Sequence, residues 1–143
     1  MHANSWNSYR RIATQTAPPG QLILMLFDGA LHSLGRALTG FEIADPGEKN
    51  QTIHNNVRHA VDIIRHLNQS LNLEAGGKLA ETLRRLYHYF DHRLTESNLR
   101  KQRDGVDEVI NRLGELRDAW ATMLSRGTPE PSAEHLQSDA VSV

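Results

Sequence analysis

The chain has 143 residues, 38% of them hydrophobic, with 16 Lys and Arg against 17 Asp and Glu for a net charge of −1. That length suits one domain with its own core, and the near-neutral balance excludes a protein whose main work is neutralising nucleic-acid phosphates. The absence of cysteine excludes disulfides, thiol catalysis and Cys-ligated zinc, and fits a reducing compartment.

Residues 1–16 are polar, with Trp6, Tyr9 and Ile12 spaced three apart. This stripe is too short to hold a helix unless it docks on something. The opening MHANSWNSYRR lacks the apolar stretch of a secretory signal, so cytoplasmic residence is expected. Ala17-Pro18-Pro19-Gly20 breaks the chain, and Pro19 suits a first helical position, where a missing N–H costs nothing. Next comes Leu22–Phe27, the longest apolar run, followed by Asp28-Gly29. The run is far short of the roughly 20 residues that span a bilayer, so no membrane insertion is expected. It could be a strand entering a hairpin turn. Ile23, Phe27, Ala30, Leu34, Ala37 and Phe41 instead recur at steps of four and three straight through the Gly, with Leu24, Leu31 and Leu38 widening one edge. This period predicts a helix over about 19–41. Gly29 inside it costs about 0.5–1 kcal/mol relative to Ala, which points to a close approach by a neighbour.

Asp45-Pro46-Gly47-Glu48 reads as a cap, a first-position Pro and a capping-box acid. The stripe Ile53, Val57, Ala60, Ile64, Leu67, Leu71 then predicts a second helix over about 46–72, ended by Asn72 and the Gly76-Gly77 break. Leu79, Leu83, Leu86, Phe90 and Leu94 predict a third, over about 77–101. Asp104 is a candidate cap for a fourth over about 104–125, whose stripe is Val106, Ile110, Leu113, Leu116, Trp120 and Met123 or Leu124. Gly127 and Pro129 stop it, and the aperiodic residues 127–143 read as a disordered tail. Short connections make sequential helices antiparallel. The expected fold is all-α: an antiparallel up-down four-helix bundle over 18–126, with a mobile N-terminal segment at 1–17.

Little in this pattern suggests chemistry. Among eight histidines, His88 and His92 share a helix face, and His59 and His66 are seven apart, but neither His-Glu-x-x-His nor Glu-x-x-His occurs. Solvated or partly paired imidazoles account for them; a metal-binding bundle using His88 and His92 is the alternative. No phosphate-cradling glycine motif or nucleophile elbow is present. Asp28, beside the apolar stripe, reads as exposed or paired with an Arg. Neither an enzyme nor a cofactor is expected. What remains is surplus apolar surface: Leu24, Leu31 and Leu38, Val61 and Ile63, Tyr87 and Tyr89, and Leu99 lie off or at the edge of the main stripes. Such edges either thicken the core, form a groove for an apolar partner segment, or bury one another in a homodimer.

An ordered set of residues runs through these helices. Tyr9 is followed by Thr16-Ala17-x-Pro19, then by Leu22-x-x-Met25-Leu26-Phe27-Asp28-Gly29-Ala30. Gly76-Gly77, Leu83-x-x-Leu86-Tyr87-x-Tyr89, Arg93-Leu94-x-x-x-Asn98 and Leu116-Arg117-x-Ala119-Trp120 complete it. In this order and spacing, over about residues 9–124, the chain resembles the FliS family of flagellar export chaperones. It differs in having Phe27 where the family usually has Tyr, Pro18-Pro19-Gly20-Gln21 in place of a Ser-Pro-acid-acid start, Ser97 in place of Ala, and a longer tail.

The resemblance implies an ATP-independent protein that binds the disordered C-terminal segment of flagellin, one to one. It keeps flagellin from polymerising and delivers it to a flagellar type III export gate component. The resemblance also implies a ligand that wraps the bundle, partly extended and partly helical, with an N-terminal segment around Tyr9 that covers part of the surface and moves on binding. The edge residues and the resemblance together nominate Tyr9, Ile12, Leu24, Phe27, Leu31, Val61, Tyr87, Tyr89, Asn98 and Leu99 as flagellin-binding candidates. The free chain is expected to be a monomer or homodimer.

Overall fold

Every stretch read as helical from its apolar period is a helix in the computed structural model, which describes residues 19–126. The expected N-terminal segment, with Tyr9 and Ile12, and the expected tail at 127–143 lie outside the described residues. The helices are α1 (Pro19–Gly40), α2 (Pro46–Gln69), α3 (Leu73–Arg100) and α4 (Asp104–Arg126); no strand occurs among the described residues.

Helix α1 passes unbroken through Asp28-Gly29, which rules out the hairpin. Its buried face is mostly small: Gly29, Ala30, Ser33, Ala37 and Gly40 flank Phe27 and Leu34. Small residues let α2 come close, and α1 and α2 pack together most extensively. A Cβ on Gly40 would meet Thr52 Cγ2 at 3.0 Å and the backbone nitrogen of Ile53 at 3.3 Å. Alone among the described helices, α1 is long and apolar enough to cross a membrane, with hydropathy 1.2 over its most apolar 18 residues. Its Phe27–Ala30–Leu34–Ala37 row is instead part of the bundle core.

Asp45 caps α2 as read, its carboxylate accepting from the Glu48 N–H at 2.9 Å with Pro46 first in the helix. Helix α2 ends three residues earlier than its stripe predicted. Asn72 caps the following helix, its side-chain oxygen accepting from the Ala75 N–H at 3.1 Å. Helix α3 therefore begins at Leu73, before the expected break, and the break is a kink: Gly77 has φ 56° and ψ −133°, a conformation that glycine alone adopts without strain. At the other end of α3, Lys101 takes the left-handed position (φ 53°) while Gln102 N–H returns to the Ser97 carbonyl and Lys101 N–H to that of Asn98. This is a Schellman closure with lysine where glycine is usual. The Lys101 ammonium then bonds the Asn98 carbonyl and side-chain oxygens at 2.8 and 2.6 Å. Asp104 is the first residue of α4 rather than its cap, since Asp107 N–H bonds the Arg103 carbonyl. There its charge favours the helix N-terminus.

The helices form a ring in chain order, α1 touching α2 and α4, and α3 touching the same two. Short connections make each neighbouring pair antiparallel, and a cross-link ties each pair together. Ser33 Oγ meets His59 Nδ1 at 2.7 Å between α1 and α2, and Arg65 bonds Asp91 at 2.8 Å between α2 and α3. Arg93 bonds Glu108 between α3 and α4 at 2.8 Å, and Arg117 bonds Asp28 between α4 and α1 at 2.7 Å.

The core departs from the expected stripes at three places. Val61 and Ile63, read as edge residues, are buried because α2 is covered by helices on both flanks. On α3 the inward row is Ala80, Leu83, Tyr87, Phe90, Leu94, with Tyr87 buried and Leu86 only partly so. Leu79, expected in the core, is 55% exposed.

Candidate functional site

The core is most completely buried where α1 and α3 end and α2 and α4 begin. It thins toward the opposite end. Helix α4 has its buried residues at Gly105, Val106, Val109 and Leu113, and its later apolar residues Leu116, Trp120 and Met123 are half-covered. Across from them, α3 approaches from the Gly77 kink with Leu79 outside. Between these two helices opens an apolar cleft of about 170 Å³.

All four helices line it. Helix α1 supplies Ile23 and Phe27 and α2 supplies Leu67, Ser70 and Leu71; Leu79, Leu83 and Tyr87 come from α3, and Leu116, Ala119, Trp120 and Met123 from α4. None of these side chains is charged. Trp120 forms a wall held at two points. Its indole N–H donates to the Gly20 carbonyl at 2.9 Å, and its ring meets Phe27 edge-on with centroids 6.3 Å apart. Leu124 presses on Gly20, where a Cβ would stand 2.6 Å from Leu124 Cδ2. The Asp28–Arg117 pair ties α1 to α4, so Asp28 is the Arg-paired acid that its position suggested. A surface of this kind takes an apolar segment, with shape and buried area as the source of affinity.

A second feature lies on the outer face of α3 and α4. Glu108 accepts from the Tyr89 hydroxyl at 2.7 Å and Arg93 at 2.8 Å, with Arg112 at 3.3 Å. The Arg112 guanidinium also lies 5.7 Å from the centre of the Tyr89 ring. These donors hold the Glu108 carboxyl below its ordinary pKa of 4.5, Tyr89 contributing most and Arg93 next. A carboxylate with a depressed pKa stabilises the fold fully above its unfolded pKa, and that part is lost as pH falls through the folded value. Glu108→Gln is therefore expected to flatten the acid limb of a stability–pH curve below about pH 4.5. Urea unfolding at several pH values measures this; a limb as steep as the wild type's contradicts it.

The nominated residues are thus distributed widely. Phe27 and Tyr87 meet in the cleft, whereas Val61 is sealed between helices. Leu24 and Leu31 are half-buried along α1, and Tyr89 belongs to the Glu108 cluster. Asn98 is engaged with His54 at 3.0 Å and with Lys101, and Leu99, 83% exposed, is at the far end of α3. Leu67, Leu71, Leu116, Trp120 and Met123, expected in the core, also line the cleft; their signal is a stripe that runs on to the helix ends, past the cover of the other described residues. His88 and His92 are exposed, and no group of three or more metal-ligating side chains forms among the described residues.

Comparison with known proteins shows the family. The family model for the flagellar protein FliS matches residues 2–127. The flagellar secretion chaperone FliS of Salmonella typhimurium is 38% identical over 109 residues, 76% of this chain and 78% of the relative. The protein of the same name from Bacillus subtilis is 32% identical over 117 residues, 82% and 84% of the two chains. The flagellar secretion chaperone FliSB of Pseudomonas aeruginosa is 36% identical over 104 residues, 73% and 79%.

Proposed function

This chain belongs to the FliS family of flagellar secretion chaperones, and from that premise we propose that it binds the C-terminal segment of flagellin in the cytoplasm and delivers it to the flagellar export gate. One observation carries the reading: a cleft lined by apolar side chains from all four helices, with no charged side chain among the described residues of its wall. A flagellin tail that forms helical contacts in the filament carries an apolar stripe that is adhesive while free. Burying that stripe in the cleft suppresses assembly without a nucleotide. Folding coupled to binding typically buries about 1,000–3,000 Å² and gives up about 2–5 kcal/mol to ordering, which keeps such a complex reversible.

The test is direct. The full chain mixed with a peptide of the flagellin C-terminus is expected to give a 1:1 complex by size exclusion with light scattering. No complex at micromolar concentration refutes the proposal. The same light-scattering run on the free chain separates a monomer from a homodimer closed over the cleft.

A further inference from the structure

Three side chains lining the cleft carry a polar atom: Ser70, Tyr87 and Trp120. Two of these are satisfied within the protein. Ser70 Oγ donates to the Leu67 carbonyl at 2.8 Å, and the Trp120 N–H to the Gly20 carbonyl at 2.9 Å. The third, Tyr87, is 3% exposed, and its hydroxyl bonds no other described residue. Burial pushes its pKa up, so at neutral pH it is a protonated donor. A ligand that closes the cleft over this hydroxyl without bonding it removes the hydroxyl's access to water, at a cost.

We propose that the Tyr87 hydroxyl is a positioning group for the bound segment, donating to one of its main-chain carbonyl oxygens. This rests on the reading that the flagellin segment occupies the cleft. The apolar walls accept a stripe at any register that buries enough surface, because hydrophobic contact has no direction. A single hydrogen bond does have direction, and in a dry wall a ligand that fails to make it leaves the hydroxyl orphaned. The carbonyl concerned belongs to an extended stretch or to the last turn of a helix, since interior helical carbonyls are already paired. Tyr87 thereby selects where along the segment helix gives way to extended chain, and so fixes the register. Tyr89, two residues on, cannot do this: its hydroxyl is engaged by Glu108 on the outer face.

Tyr87→Phe keeps the ring and removes only the donor. In the full-length chain it is expected to weaken binding of the flagellin C-terminal peptide about tenfold by calorimetry. The thermal midpoint of the free protein should stay the same or rise, because the hydroxyl has no partner among the described residues to lose. A merely structural tyrosine would move the midpoint and not the affinity. Equal affinities for Tyr87→Phe and wild type overturn this inference alone, whereas a wild type that binds no peptide overturns the flagellin reading and this inference with it. A peptide with its Asn and Gln side chains replaced by Ala should keep the dependence on Tyr87; losing it would overturn the main-chain assignment.

Discussion

Leu79→Glu is expected to weaken binding of the flagellin C-terminal peptide about 30-fold or more while the thermal midpoint stays nearly unchanged. Leu79 is 55% exposed in the free bundle although it lines the cleft. Folding therefore draws little from its side chain, and exposed substitutions typically change stability by about 0.5 kcal/mol or less. Glutamate is a good helix former and lies two residues past the Gly77 kink, where a negative charge suits the start of the regular helix. Binding reverses the balance. Burying a leucine fully is worth about 1.5–3 kcal/mol, and the exposed half of Leu79 is the part a ligand would cover. The glutamate forfeits that contact and must also be dehydrated against an apolar ligand, a larger penalty. Together these exceed about 2 kcal/mol, or about 30-fold. Leu79→Ala, which removes the contact without adding a charge, should lose only a few-fold. Undiminished binding by Leu79→Glu in a titration would place the ligand elsewhere on the bundle.

Gly105→Ala should have its large effect on the fold itself. A Cβ there would stand 2.8 Å from the carbonyl oxygen of Arg93 and 2.9 Å from Ser97 Cβ. A backbone oxygen cannot rotate aside, so the start of α4 must move away from α3 and part the most completely buried end of the core. Overpacking of this kind costs about 1–3 kcal/mol, against which alanine's better helix propensity returns up to about 1 kcal/mol. A net loss of about 1–2 kcal/mol lowers the midpoint by roughly 5–15 °C in a unit of this size. Gly35→Ala and Gly114→Ala supply the contrast, since a Cβ at either position meets nothing within 4 Å. Both should hold or raise the midpoint. Thermal unfolding of the three variants decides the matter, and a Gly105→Ala midpoint at or above wild type would show that the α3–α4 contact is looser than described.

How much of this was legible beforehand varies with the physics at each position. The path of α1 through Asp28-Gly29 could be read because a period is a property of a dozen residues, and one glycine costs less than the stripe returns. Asn72 could not be assigned correctly from its neighbours, because the same residue type suits the end of one helix and the start of the next. Only the helical turn at Leu73–Gly76, set off from the rest of α3 by the Gly77 kink, made it a cap. Tyr87 and Leu79 exchanged their expected places for a related reason. Spacing identifies which residues share a helix face, but the rotation of that face toward its neighbours depends on how the other helices pack. Recognition of the family was accessible because it rests on ordered residues, not on their burial.

Period, capping residues and short connections act locally along the chain, so four amphipathic helices and their antiparallel order follow from the residues alone, as does the family from its ordered motifs. That the apolar stripes part company at one end, where α3 is bent at Gly77 and α4 is only partly covered beyond Leu113, follows from packing. A cleft is a failure of neighbouring surfaces to meet. It arises from the relative placement of four helices and has no counterpart in any one of them.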